Sequence, residues 1–210
     1  MGHLLNPIRA ILFDADGVIQ HTPPAFHQAL IDVAGKAGAD PGELLPAIFS
    51  AERPAIIGQG SFAEALAPVL ERFGLADALQ DLLPAWHLIE PDRGALAFVK
   101  ELRTRRFTCC LATNQQDVRR HYMSRELGYR TIFDREYYSC DIGHRKPDAA
   151  YFHHILGDLA LEPAAALFID DAEVNVAAAR EIGMATIYHS GGDLRARVEK
   201  ALARQLENLG

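Results

Sequence analysis

The stretch ILFDADGVIQ, residues 11 to 20, runs three apolar residues straight into two acids and a glycine. Ile11, Leu12 and Phe13 read as the end of a buried strand, and Asp14 and Asp16 follow at once. A buried strand that stops at carboxylates fits an open parallel sheet, in which polar groups gather where the strands end and loops and helix N-termini converge. The pattern recurs along the chain. Thr113 and Asn114 follow the run FTCCLA, Asp170 and Asp171 follow AALFI, and Lys146 in GHRKPD precedes a further helix start.

The text between these points divides into two kinds. Ile8 to Phe13 is the expected first strand. From Pro23 to about Ile89 the apolar spacing is helical, with Phe26, Leu30, Val33 and Ala37 on one stripe and Phe62, Leu66, Val69 and Phe73 on another. Two capping boxes are expected there, Asp40 with Glu43 and Ser61 with Glu64. After Glu90-Pro91 helices alternate with short apolar runs: a helix over Arg93–Arg105, a strand from Phe107, a helix over Asp117–Leu127, then strands near Thr131–Phe133, from Ala165 and from Met184. Alternation of this kind predicts an α/β fold, a Rossmann-like doubly wound parallel sheet, interrupted after its first strand by an α-helical cap domain. The expected division is a core of residues 1–19 and 90–210 and a cap of residues 20–89.

Composition excludes several classes of partner. The formal charge of −7 comes from 21 basic and 28 acidic residues without long runs of either sign, so neither nucleic acid nor an anionic membrane is an expected partner. No apolar run approaches the ~18 residues of a membrane span, MGHLLNPIR does not open like a secretory signal, and Asn6 stands where a myristoylation motif needs Ser or Thr. Cys109, Cys110 and Cys140 cannot all pair and show no C-x-x-C spacing, which points to a reducing, cytoplasmic setting.

Four or more carboxylates at one sheet edge repel one another unless a cation sits among them, and an all-oxygen donor set calls for a hard divalent ion such as Mg²⁺. A hydroxyl and an ammonium beside that ion supply donors for phosphoryl oxygens, and an aspartate can itself attack phosphorus. ILFDADGV, LATN, RKPD and FIDDAEVN, in that order, resemble the four motifs of the haloacid dehalogenase (HAD) superfamily of phosphohydrolases. The resemblance implies that Asp14 is the nucleophile and Asp16 the acid and base. It implies that Thr113, Asn114 and Lys146 meet the phosphoryl group, and that Asp171 binds Mg²⁺ with Asp14 and the Asp16 main-chain carbonyl. Asp170 would act on the metal directly or through water. Residues 20–89 resemble the helical C1 cap, with hinges near Ile19–Thr22 and Leu88–Pro91. A small phosphorylated metabolite is the implied substrate, and the oligomeric state stays open.

Each motif also has a bland reading. Asp14-Ala15-Asp16-Gly17 alone is a common turn, Thr113-Asn114 could cap a helix, and Asp170-Asp171 could cap the next one, whose Val174, Ala178 and Ile182 form an expected core stripe. Lys146 could be a solvated loop lysine, and Asn175 either anchors the acidic loop or faces water. Cys109 and Cys110 are expected to be inert in the core, Trp86 to pack the cap base, and Leu194, Val198, Leu202 and Leu206 to pack inward. His21 and His27 flank the expected cap entrance, and Arg53, Gln59 and His87 are candidate substrate contacts. Three rivals remain to a phosphatase. Dehalogenases of this fold lack the second acid. A sugar phosphomutase would want a cap histidine, and His27 falls one residue beyond the expected place. A phospho-accepting signalling domain places its two acids side by side and carries no such insert.

Overall fold

Parallel pairing of five short strands organises the chain, and the computed structural model describes residues 7–36 and 38–207 of the 210. In chain order the elements are β1 (Ala10–Phe13), β2 (Gln20–His21), α1 (Ala25–Lys36), α2 (Pro41–Ile56), α3 (Phe62–Arg72), α4 (Leu79–Leu82) and β3 (Glu90–Pro91). There follow α5 (Arg93–Thr104), β4 (Thr108–Thr113), α6 (Asp117–His121), α7 (Tyr129–Ile132), β5 (Arg135–Tyr138), α8 (Ser139–Ile142), α9 (Ala149–Leu159), β6 (Ala166–Asp170), α10 (Glu173–Glu181), β7 (Ala185–Tyr188) and α11 (Leu194–Glu207). The sheet order is β5-β4-β1-β6-β7, and every neighbour is parallel. This is the α/β, Rossmann-like sheet that the sequence predicts. No helix among the described residues is long and apolar enough to cross a membrane.

β1 lies at the centre because its side chains are apolar on both faces and all four are fully buried. Ile11 and Phe13 enter the apolar cluster of one face, with Phe98, Leu111, Ile169 and Val198. Ala10 and Leu12 enter that of the other, with Phe152, Ile155, Phe168 and Ala179. Phe13 is in register with Leu111 of β4 and Ile169 of β6, so the three strands end within two residues of one another. The polar residues that follow them are thereby brought to one edge.

The segment between β2 and β3 is helical and has an apolar cluster of its own. Phe26, Leu30, Leu44, Ile48, Phe62, Leu66 and Trp86 pack together, with the Trp86 ring edge-on to Phe26 and Phe62. β2 and β3 form an antiparallel two-stranded ribbon where the hinges are expected, and Asp92 N donates to Ile19 O across it. The insertion rests on the core through Phe62 N, which donates to Asp117 (2.9 Å), and through His87, whose ring stacks on Tyr122. Gly58, at φ +71°, lies so close to the Cys140 carbonyl that a Cβ would overlap it.

Several local expectations need correction. Thr131–Phe133 is no strand: Gly128, at φ +72°, starts the single turn α7, and the strand is Arg135–Tyr138. Arg103 fixes that turn by donating to the carbonyls of Thr131 and Ile132 and to Asp134. Asp40 caps α2 through Gly42 N, while Ser61 makes no side-chain cap, because Asp117 reaches across from the core to the first N–H of α3. Val174 is 61% exposed, and α10 buries Asn175, Val176 and Ala179 instead, since Asn175 has a partner inside. Leu194, Val198 and Leu202 do pack inward. Ala37, Asn6 and the side chain of Leu206 fall outside the described residues.

Trp86 also donates from Nε1 to Glu52 (2.9 Å), so it holds the insertion's cluster together by both volume and polarity. Trp86→Ala is expected to lower the unfolding free energy by about 3 kcal/mol or more, measured by denaturant titration at constant m value.

Candidate active site

At the carboxyl edge of β1, β4 and β6 an ammonium sits among carboxylates. Lys146 is 2% exposed, and its Nζ lies 2.7 Å from an Asp14 oxygen, 2.7 Å from an Asp170 oxygen and 2.9 Å from the Ala112 carbonyl. Three N–H donors thus meet three acceptors, which is what allows a lysine to stay charged without water. Burial acts against its charge, but Asp14 and Asp170 outweigh this and raise its pKa. Burial pushes the Asp14 carboxyl up to about 7, with Lys146 acting in the opposite sense. We take the ammonium to be the charged partner, because an uncharged amine would leave two buried acids without compensation.

Asn114 positions that lysine. Its Nδ2 donates to Lys146 O and its Oδ1 accepts from Lys146 N, each at 2.9 Å. The side chain expected to meet substrate is therefore committed to the Lys146 backbone. Neither Thr113 nor Asn114 caps a helix: the cap of α6 is Gln116, which accepts from Arg119 N.

Asp170, fully buried, accepts from Lys146 Nζ, from Ala172 N and, on both oxygens, from Asn175 Nδ2. Asn175 thus anchors the acidic loop. Asp171 is the more accessible of the two, and burial followed by the Asp170 charge raises its pKa. One oxygen each of Asp14, Asp170 and Asp171 lies within 4.8 Å of the others. Oxygen donors at that mutual distance suit a hard divalent cation.

Asp16 is held differently. Its Oδ2 accepts from Gln115 Nε2 (2.8 Å), which also donates to Thr113 Oγ1 (3.1 Å), so the second acid and the expected phosphate-binding hydroxyl share one amide. Its Oδ1 accepts from Arg119 Nη2 (2.5 Å) and Gln20 Nε2 (3.1 Å). Gln20, Gln115 and Arg119 escaped sequence reasoning. Gln115 adjoins a recognised motif, but Arg119 sits in the polar run Asp117–His121, where nothing marks one basic residue from the next.

Residues expected at the periphery sort themselves out. His27 is exposed, with its ring beside those of Phe26 and Phe49. Arg53 and Gln59 are exposed, and His87 lines a groove of about 740 Å³ between the insertion and α6, bordered by Gly58, Ser61 and Asp117. None of the aspartates Asp14, Asp16, Asp170 and Asp171 borders that groove. The Cys109 thiol is pushed up to about 12 by burial, which leaves it inert at neutral pH.

Known proteins resemble this chain in sequence and in fold. The chain is 39% identical over 72 residues to flavin mononucleotide hydrolase 1 of Arabidopsis thaliana, a match covering 34% of this chain and only 26% of that protein. It is 24% identical over 204 residues to a phosphorylated carbohydrates phosphatase of Thermotoga maritima, covering 91% of each. The fold matches the crystal structure of the HAD family enzyme bt-2542 of Bacteroides thetaiotaomicron, a magnesium complex, with a TM-score of 0.79 at 20% identity over 93% of this chain and 100% of that one. A family model for haloacid dehalogenase-like hydrolases matches residues 8–183, and with its four polar motifs gathered at one sheet edge, the chain belongs to that family of hydrolases.

Proposed function

We propose that the chain is a phosphatase that hydrolyses a small phosphomonoester through an aspartyl-phosphate on Asp14. The observation that carries this reading is the Asp14 carboxylate held 2.7 Å from a buried lysine, beside two further acids and two residues before a third. Asp14 attacks phosphorus and the bond to the ester oxygen breaks, while Asp16 gives that oxygen a proton. Asp16 then takes a proton from the water that attacks the phosphoryl group, and Asp14 is released. Lys146 offsets charge next to the attacking oxygen, and Thr113, tied to Asp16 through Gln115, donates to a phosphoryl oxygen.

Mg²⁺ fits the all-oxygen donor set; Asp14, Asp171 and the Asp16 main-chain carbonyl would hold it, and it would offset charge on the phosphoryl oxygens. Asp170, whose oxygens are taken up by Lys146, Asn175 and a backbone N–H, orients the lysine and the loop instead. Residues 20–89 act as a cap that swings on the β2–β3 ribbon over a core of residues 1–19 and 90–210. His27 is exposed beside Phe26 and Phe49, and no hydrogen bond among the described residues ties it to the acids, which favours the phosphatase over the mutase reading. The magnesium complex of the bt-2542 structure and the phosphatase names among the relatives support the assignment. Three free thiols fit a reducing cytoplasm.

The deciding experiment is phosphate release over a panel of sugar phosphates, nucleotides and small organophosphates. Turnover is expected with Mg²⁺ and its loss with a chelator; full activity after exhaustive metal removal would sink the assignment. Asp14→Asn is expected to abolish turnover and the covalent label that rapid quench with labelled substrate places on the parent. A label that survives the substitution would put the nucleophile elsewhere. Gly17, at φ +80°, faces Asp171 so closely that a Cβ would overlap the Asp171 carboxylate. Gly17→Ala is therefore expected to weaken Mg²⁺ affinity by about tenfold or more in a calorimetric titration, with a smaller effect on stability.

A further inference from the structure

Arg119 is a buried cation with no structural anchor. Its side chain is 7% exposed, yet Nη2 bonds only to side chains, Asp16 Oδ1 at 2.5 Å and Thr22 Oγ1 at 3.1 Å, and Nε is buried without a partner. Arg103, by comparison, grips two backbone carbonyls and so fixes a turn. Removing a guanidinium from water is costly, and an arginine that spans no backbone recovers that cost mainly from the acid it faces. That acid is Asp16. Arg119 stands in the first turns after β4, whereas Gln20 and Thr22 belong to the ribbon that leads into the insertion, so donors from both sides converge on one carboxylate. Glu52 of α2 faces the same guanidinium from the insertion, with its carboxyl raised by burial and Arg119 acting in the opposite sense.

The geometry of the carboxylate follows. Oδ1 is taken by Arg119 and Gln20, which leaves Oδ2 turned toward Gln115 and, through it, toward Thr113. Oδ2 is thus the oxygen that Gln115 links to the Thr113 hydroxyl. Without Arg119 the carboxylate keeps only the neutral donors Gln20, Thr22 and Gln115, and loses the one charged donor that fixes Oδ1.

We propose that Arg119 is a positioning residue that fixes the Asp16 carboxylate, through Oδ1, in the orientation from which Oδ2 exchanges a proton with the departing oxygen. This rests on the reading of Asp16 as the acid and base of a phosphatase. A misplacement of about 1 Å costs on the order of 10²-fold in rate when a group must meet a reacting atom. The loss falls on substrates whose leaving oxygen needs the proton.

The test uses 2,4-dinitrophenyl, 4-nitrophenyl and phenyl phosphates as substrates of the 210-residue, Mg²⁺-loaded protein, with kcat/KM plotted against the acidity of the leaving phenol. The parent is expected to show a shallow dependence, and Asp16→Asn a steep one. Arg119→Gln is expected to be steep as well, with about a 10²-fold loss on phenyl phosphate and a far smaller one on the dinitrophenyl ester. Arg119→Lys should be intermediate, and Asp16→Asn with Arg119→Gln no worse than Asp16→Asn alone. Arg119→Met, which keeps most of the packed volume, carries the test if the glutamine variant does not fold. A steep series for Asp16→Asn beside a shallow one for Arg119→Gln or Arg119→Met overturns the proposal alone, as does a loss that adds to that of Asp16→Asn. A shallow series for Asp16→Asn overturns the acid reading and takes this proposal with it.

Discussion

The arrangement depends on one buried ammonium. Lys146 joins Asp14 at the end of β1, Asp170 at the end of β6 and the Ala112 carbonyl on β4, and so ties the three central strands where their carboxyl ends meet. Without that charge, two carboxylates would be buried side by side, and desolvation and mutual repulsion would drive at least one to protonate or move into water. The surrounding polar groups serve this pair of bridges. Asn114 fixes the lysine's backbone, and Asn175 and Ala172 N satisfy the remaining lone pairs of Asp170.

Lys146 takes one oxygen of Asp170, and Ala172 N and Asn175 hold the other, so the two acids of the FIDD motif part in character. Asp170 is fully buried against Lys146, whereas Asp171 is more accessible and faces Gly17 across a gap without room for a Cβ. The two acids of the opening motif part likewise: Asp14 faces a lysine, and Asp16 faces amides and an arginine. Carboxylates in such unequal surroundings are suited to unequal chemistry, which is what the proposed mechanism asks of them.

The helical insertion contributes at the rim of this centre. Its apolar cluster, built on Trp86, Phe26 and Phe62, gathers residues of the insertion around itself, and its contacts with the core at Asp117, Cys140 and Tyr122 lie to one side of the acids. Polar groups of the ribbon, Gln20 and Thr22, reach Asp16 directly. The ribbon is therefore tied to the second acid by direct hydrogen bonds.

Much of this was legible in the sequence, because it depends on neighbours along the chain. Apolar runs that end in acids locate strand ends by period and composition alone, and a long helical block between the first strand and the alternating part marks an insertion. Four ordered motifs identified the family. Interactions between distant segments were not legible. The apolar pair Ile132-Phe133 reads equally as strand or turn until Arg103, 29 residues before Ile132, donates to its carbonyl. Ser61 lost its capping role to Asp117, and Val174 lost its place in the core to Asn175, because in each case a polar partner from elsewhere in the fold outcompeted the local pattern. Arg119 became distinct from Arg120 only in three dimensions, where one faces Asp16 and the other Asp141 at the surface. Sequence determined which residue types end the strands; tertiary structure decided which of them meet, since hydrogen bonds and ion pairs act over a few ångströms of space whatever the separation along the chain.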